Sequence, residues 1–183
     1  PLPLVPGHEV TGVHDVLGPV MLYAPWGCRS CWICETGHEM ICPDATEAGL
    51  IVDGGYAEQM SVPHLEYLQP LGDLDPVRSA PLACGGLTAF RAVRQAADVL
   101  RRRGSKARAL VIGAGGLGQF GIQFLRLTSD AEIWVVDQSP QKRERALELG
   151  AERVGLDQFA AMKQRRDDQD WGFRVRSTHD AEK

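Results

Sequence analysis

The rhythm of apolar positions changes once along the chain, near residue 80. From Leu2 to about Pro70 no helical period is sustained. Short apolar stretches, Val20-Met21-Leu22-Tyr23 and Tyr56 to Val62, alternate with Gly18-Pro19, Pro25-Trp26-Gly27 and Asp53-Gly54-Gly55. Short runs between turn-forming residues predict strands joined by turns, an irregular β domain. From Pro81 to Arg103 the pattern is different: Ala83, Leu87, Phe90, Val93, Ala97 and Leu100 recur at intervals of three and four. That spacing lays one apolar face along a helix. Arg101, Arg102 and Arg103 complement the dipole at its C-terminal end, and Gly104 can end it.

The next pattern is a strand, a glycine loop and a helix in direct succession. Ala109-Leu110-Val111-Ile112 is a short apolar run suited to a buried parallel strand. It leads into Gly113-Ala114-Gly115-Gly116-Leu117-Gly118 and then a helical stretch ending near Thr128. A second strand, Ile133-Trp134-Val135-Val136, ends in Asp137; Ser139-Pro140 caps a further helix that Gly150 closes. G-x-G-x-x-G alone is a weak signal. Here it lies between strand and helix, and an acidic residue ends the following strand, which is the context of the dinucleotide-binding fingerprint. Gly113 permits the tight turn, Gly115 lets a pyrophosphate approach the backbone, and Gly118 lets helix and strand pack closely. The helix N-terminus then offers N–H groups to the phosphates. Asp137 would accept hydrogen bonds from adenosine ribose hydroxyls and repel a 2′-phosphate, which favours NAD over NADP.

The cysteines add a second chemistry to the irregular half. Four of the five fall within fifteen residues as Cys28-x2-Cys31-x2-Cys34-x7-Cys42. Four thiolates gathered by tight turns make a closed tetrahedral site for a structural zinc, with no open position for substrate. An odd cysteine count argues against a disulfide framework. Composition narrows the remaining classes: 44% apolar and 24% charged residues fit a soluble globular chain of 183 residues. No apolar run approaches the ~18 residues needed to cross a bilayer. Pro1 to Gly7 has no basic segment of the secretory kind, so cytoplasmic residence without a membrane is expected. The net charge of −4 divides unevenly, at −8 over residues 1–92 and +4 over 93–183. An acidic first half excludes a zinc-finger-like nucleic-acid module, whose phosphate contacts need clustered Lys and Arg.

A cysteine-rich zinc lobe followed by this fingerprint resembles the zinc-dependent medium-chain alcohol dehydrogenases, and further residues carry the resemblance over about residues 1–157. Gly7-His8-Glu9 is similar to the family segment whose histidine binds the catalytic zinc, with the glutamate beside the metal. Asp53-Gly54-Gly55-Tyr56-Ala57-Glu58 resembles the stretch that follows the zinc lobe. Cys84, within Pro81-Leu82-Ala83-Cys84-Gly85-Gly86-Leu87-Thr88, resembles the second cysteine ligand of that zinc, and Thr88 a residue near the nicotinamide. Asp137 and Lys142 resemble the pair around the adenosine ribose. The resemblance implies an α/β plus irregular β architecture. A partial GroES-like catalytic domain with a structural zinc lobe would occupy 1–80 and a partial Rossmann domain 81–162; beyond them, the charged composition of 163–183 predicts a disordered tail.

It also implies two zinc ions, one structural and one catalytic on His8, Glu9 and Cys84, and NAD held by Thr88, Gly113, Gly115, Gly116, Leu117, Gly118, Asp137 and Lys142. The reaction implied is hydride transfer between a primary or secondary alcohol and NAD, giving an aldehyde or ketone, in a family of homo-oligomers. The alternative is a non-catalytic, zinc-stabilised nucleotide-binding remnant. Three departures from the family pattern shape the expectation. No cysteine or relay hydroxyl precedes His8, the stretch from Glu9 to Cys28 is short, and the pattern stops after Asp157. Residues 163–183 hold 11 charged residues, so the strand at Leu110 is expected to present an open apolar edge.

Overall fold

A computed structural model places the change of rhythm at Cys84: the chain divides into the units Pro1–Cys84 and Gly85–Lys183. The structure describes residues 2–156 and the short strand Val175–Arg176.

The first unit is built from short strands, as the interrupted pattern requires. They are β1 (Thr11–His14), β2 (Gly18–Leu22), β3 (Pro25–Trp26), β4 (Thr46–Glu47) and β5 (Leu68–Pro70). A one-turn helix, α1 (Trp32–Glu35), lies between β3 and β4, and a second, α2 (Pro76–Ser79), follows β5. β2 lies between β1 and β5, antiparallel to both, and β3 pairs antiparallel with β4. The short passage between β1 and β2 closes as a hairpin. Gly18 takes φ +69°, and His14 Nδ1 accepts the N–H groups of Val16 and Leu17, each at 3.2 Å. Leu22, Ala24, Trp26, Ala48 and Tyr67 form the small core under this unit. The Trp26 indole N–H donates to the Tyr23 carbonyl at 2.8 Å, so its polar atom is satisfied as the ring is buried.

One expected strand is absent. Residues 56–62 form no strand. The N–H groups of Gly54, Gly55 and Tyr56 go instead to the carbonyls of Val5, Gly7 and Pro6, so this stretch clamps the N-terminal segment rather than extending a sheet.

The second unit is layered. A long helix, α3 (Gly85–Arg103), precedes β6 (Arg108–Ile112), α4 (Gly116–Thr128), β7 (Glu132–Val136), α5 (Pro140–Glu148), β8 (Arg153–Val154) and β9 (Val175–Arg176). The helix expected from Pro81 begins only at Gly85. Residues Ala80–Ala83 form a 3-10 turn, and Cys84, at φ −124° and ψ −64°, breaks the two apart. All strands run parallel in the order β8-β7-β6-β9. β7 and β8 thus lie on one side of β6 and β9 on the other.

β9 corrects one expectation. Val111 and Ile112 of β6 pair with Val175 and Arg176, so β6 is an interior strand at that register and not an open edge. The rest of the expected tail lies outside the described residues. The strand was hidden because charged residues crowd this stretch of sequence.

Val93 and Leu100 of α3, Ile122 and Leu125 of α4, Val111, Ile133, Val135 and Ala146 fill the core of this unit. Each fully buried Ile or Val contributes roughly 1.5–3 kcal/mol relative to exposure. Trp134 points away from that cluster. Its ring lies under the Arg108 and Arg153 guanidinium groups, at 5.6 and 5.1 Å, and Glu132 joins both arginines at 3.0 and 2.9 Å.

Candidate functional site

The cysteine lobe follows directly from its spacing. α1 turns the chain between Cys31 and Cys34, and the 3-10 turn at Glu39–Ile41 returns it to Cys42. Arg29 takes φ +62° in the knuckle, with an ion pair to Glu66 at 2.6 Å, and a side chain at Gly27 would meet Cys34 Sγ at 2.5 Å. The sulfurs stand 4.0 Å apart for Cys28 and Cys34, 3.6 Å for Cys31 and Cys34, and 3.8 Å for Cys31 and Cys42. A tetrahedral zinc with Zn–S bonds of about 2.3 Å needs S···S edges of about 3.8 Å. None of the cysteines is in a disulfide. The Cys28 N–H points at Cys42 Sγ, at 3.5 Å, as an amide supporting a thiolate does.

The thiols divide their protons unevenly. Hydrogen bonds from the side chain and backbone of Ser30 pull Cys28 down to about 6, while desolvation pushes Cys34 up to about 12. One thiol is poised to ionise beside one that resists it, and four thiolates at this separation would repel one another. A bound dication is what lets all four ionise together, so the donor set fits zinc.

A second group of donors meets in the same unit. One ligand atom each from His8, Glu9 and Cys84 lies within 4.8 Å of the others, close enough to share one ion. Three donors leave a coordination position open, in contrast to the closed lobe. Gly7, at φ +106°, turns the segment so that His8 and Glu9 follow it toward the group, and Cys84 arrives from the break before α3. The Asp53–Gly55 stretch holds that segment in place. Asp53 Oδ1 accepts the Val5 N–H at 2.9 Å, and the Gly54 and Gly55 amides donate to Val5 and Gly7 at 2.7 and 2.9 Å. A side chain at Gly54 would stand 2.2 Å from the Gly7 oxygen, so only glycine allows the approach. The sequence marked this stretch by its likeness alone; its mechanical role as a clamp becomes visible only in the contacts.

In the second unit the glycine loop behaves as its spacing predicts. Gly113 takes φ +89°, and a side chain at Gly118 would stand within 1.9 Å of the Gly113 oxygen. Side chains at Gly115 and Gly116 would meet nothing within 4 Å. The space before α4 is therefore open where a pyrophosphate would lie, and Gly115 caps the helix with no side-chain acceptor for its amides. These are features of a loop that takes a nucleotide. Leu117 enters the first turn of α4, half-buried. Asp137 directly follows β7, beside the loop: its Oδ2 accepts the Ala114 N–H at 2.7 Å and its Oδ1 the Ser139 N–H at 2.8 Å. Thr88 and Lys142 are exposed, on α3 and α5.

A cysteine-lobed, GroES-like unit followed by a parallel-sheet unit of Rossmann type defines the architecture of the medium-chain dehydrogenases, and the chain shares it. Its relatives are correspondingly particular. It is 39% identical to an NAD-dependent alcohol dehydrogenase of Sulfurisphaera tokodaii over 166 residues, covering 85% of this chain and 45% of that protein. It is 35% identical over 163 residues to a D-arabinose 1-dehydrogenase (NADP(+)) of Saccharolobus solfataricus, covering 84% and 46%. Among solved structures, the D-arabinose dehydrogenase from Sulfolobus solfataricus superposes with a TM-score of 0.83 at 34% identity, covering 91% of this chain and 55% of that one. An alcohol dehydrogenase from Aeropyrum pernix gives 0.77 at 31% identity, covering 91% and 52%. No family model matches the chain. The resemblance to the zinc-dependent medium-chain alcohol dehydrogenases thus stands in both sequence and fold, and the chain spans about half the length of the curated relatives it matches. Among the described residues no helix is long and apolar enough to cross a membrane.

Proposed function

We propose that this chain carries the metal and nucleotide parts of a zinc-dependent oxidoreductase that moves a hydride between a primary or secondary alcohol and NAD. One observation carries the reading: a three-donor group with an open position and a closed four-cysteine lobe precede a glycine loop tied to an acidic strand end. In this reading Cys28, Cys31, Cys34 and Cys42 hold a structural zinc, and His8, Glu9 and Cys84 hold a catalytic one. When bound, the catalytic zinc supplies Lewis-acid polarisation of the alcohol oxygen. The clamp at Asp53–Gly55 keeps the His8 and Glu9 donors in register, which is the protein's share of such chemistry. Gly113, Gly115, Gly116, Leu117 and Gly118 admit the pyrophosphate, Asp137 and Lys142 flank the adenosine ribose, and Thr88 faces the nicotinamide side. Substrate and product are a small alcohol and its aldehyde or ketone. A reducing compartment such as the cytoplasm keeps four thiols available to zinc.

The test is NADH formation at 340 nm by the zinc-loaded chain with a panel of short primary and secondary alcohols, before and after chelation. Zinc-dependent NADH formation supports the reading. A zinc-loaded chain that binds NADH yet forms none from any alcohol leaves the non-catalytic nucleotide-binding alternative in its place.

A further inference from the structure

The end of β7 is held from both sides, and one of the holding groups has no role in the reading above. Arg143 stands in the first turn of α5, half-buried, with its backbone N–H bonded to the Ser139 carbonyl at 3.1 Å. A cation there opposes the helix dipole, so the position is unfavourable unless something else engages the charge. The engagement is specific. Arg143 Nη1 donates to the Asp137 carbonyl at 2.7 Å and to the Gln138 carbonyl at 2.9 Å. The preceding carbonyl, of Val136, accepts the Gly113 N–H at 2.7 Å. Three successive carbonyls at the strand end are therefore fixed by the glycine loop and by one guanidinium.

The Asp137 carboxylate itself takes the amides of Ala114 and Ser139. A carboxylate offers about four acceptor positions. Two remain after those amides, and where they point depends on the backbone that Arg143 holds. We infer that Arg143 is a positioning residue of the nucleotide site: by fixing the Asp137 and Gln138 carbonyls it aims the remaining acceptor positions of Asp137 at the adenosine ribose. The inference rests on the NAD reading. It also gives Arg143 Nη1 a fixed task on two backbone carbonyls.

The experiment compares two ligands differing only at the ribose: NADH and its adenosine 2′-deoxy analogue, titrated by fluorescence into the full zinc-loaded chain, Arg143→Met and Arg143→Lys. A hydrogen bond to a charged acceptor corresponds to about tenfold in affinity, so the native chain prefers NADH by about that factor. Arg143→Met, with a similar stem and no donor, brings the preference below about threefold, and Arg143→Lys, with a point donor, lies between. A general loss of stability would weaken both ligands alike and leave their ratio unmoved, which separates positioning from structure. If Arg143→Met does not fold, the ratio in Arg143→Lys decides. An unchanged ratio in the folded variants, or a native chain that binds both ligands equally, overturns the inference while the NAD reading stands on NADH binding itself. A native chain that does not bind NADH overturns both.

Discussion

The Asp137 carboxylate accepts the Ala114 N–H at 2.7 Å, across 23 residues of sequence, and so ties the end of β7 to the loop that follows β6. The residue expected to read the ribose is at the same time the fastening of the glycine loop. Asp137→Asn keeps the shape but loses the charge and one acceptor oxygen, so the Ala114 or the Ser139 amide loses a charge-assisted bond. We expect a loss of about 1–2 kcal/mol in stability, measured by thermal unfolding. The preference for NADH over NADPH should narrow in parallel. A variant as stable as the native chain would refute the fastening.

The cysteine lobe should be the part of the first unit most sensitive to chelation. Cys31 contacts Cys34 and Cys42, so Cys31→Ser removes a donor from the centre of the set. Structural zinc is folding free energy, and several kcal/mol of local stability should go with it. Hydrogen exchange should quicken first over residues 28–42, while β6 and β7 keep their protection. Zinc absent from the purified chain, with these thiols found as disulfides by mass spectrometry, would contradict the assignment.

The clamp on Gly7 makes a prediction at a residue that touches no metal. Gly54→Ala forces a methyl against the Gly7 oxygen and the Gly49 backbone, so the segment bearing His8 and Glu9 must move. Loss of such outer support costs metal sites roughly 10–100-fold in affinity. Cobalt(II) titration reads it directly, because the four-thiolate lobe and the His8, Glu9, Cys84 group give different charge-transfer bands. Only the second should weaken. Gly12→Ala, where a side chain meets nothing within 4 Å, should leave both unchanged.

Glu132 gives the pH dependence a location. Burial alone would raise its carboxyl, but hydrogen bonds from Arg153 and Arg108 reverse this and hold it below the ordinary glutamate range. Because the folded-state pKa is depressed, the contribution is complete above the unfolded value of about 4.3 and disappears as pH falls through the lower folded value. Glu132→Gln should cost about 1 kcal/mol at neutral pH. The gap from the native chain should close in acid, and melting temperatures at pH 7 and pH 3 check the sign. A gap that widens in acid would refute it.

Much of this was legible because it is local. The glycine loop, its flanking strands and the Ser139-Pro140 cap lie within one stretch of chain, and the cysteine spacing allows little but a closed site. Two short glycine-bearing segments also announced themselves, Gly7-His8-Glu9 and Asp53-Gly54-Gly55, but not that the second clamps the first. The Val5 to Asp53 bond spans 48 residues, and no periodicity reports a contact of that kind. Tyr56 to Val62 misled for the same reason, since the stretch enters through the clamp, where the Tyr56 N–H is already given to Pro6. Val175–Arg176 escaped because a two-residue strand has too few positions to show alternation against its charged neighbours. Arg143, on an exposed-looking helix, showed no sign in sequence of its two carbonyl partners.

An equilibrium titration of the unmodified, zinc-loaded chain with NADH and with NADPH tests the nucleotide site without any substitution. The glycine loop and Asp137 predict saturable binding of one NADH per chain, tighter than NADPH by about tenfold or more, because a carboxylate facing a 2′-phosphate loses its hydrogen bonds and meets like charge. Absence of NADH binding, or equal affinity for the two, would overturn the roles given to the glycine loop and Asp137.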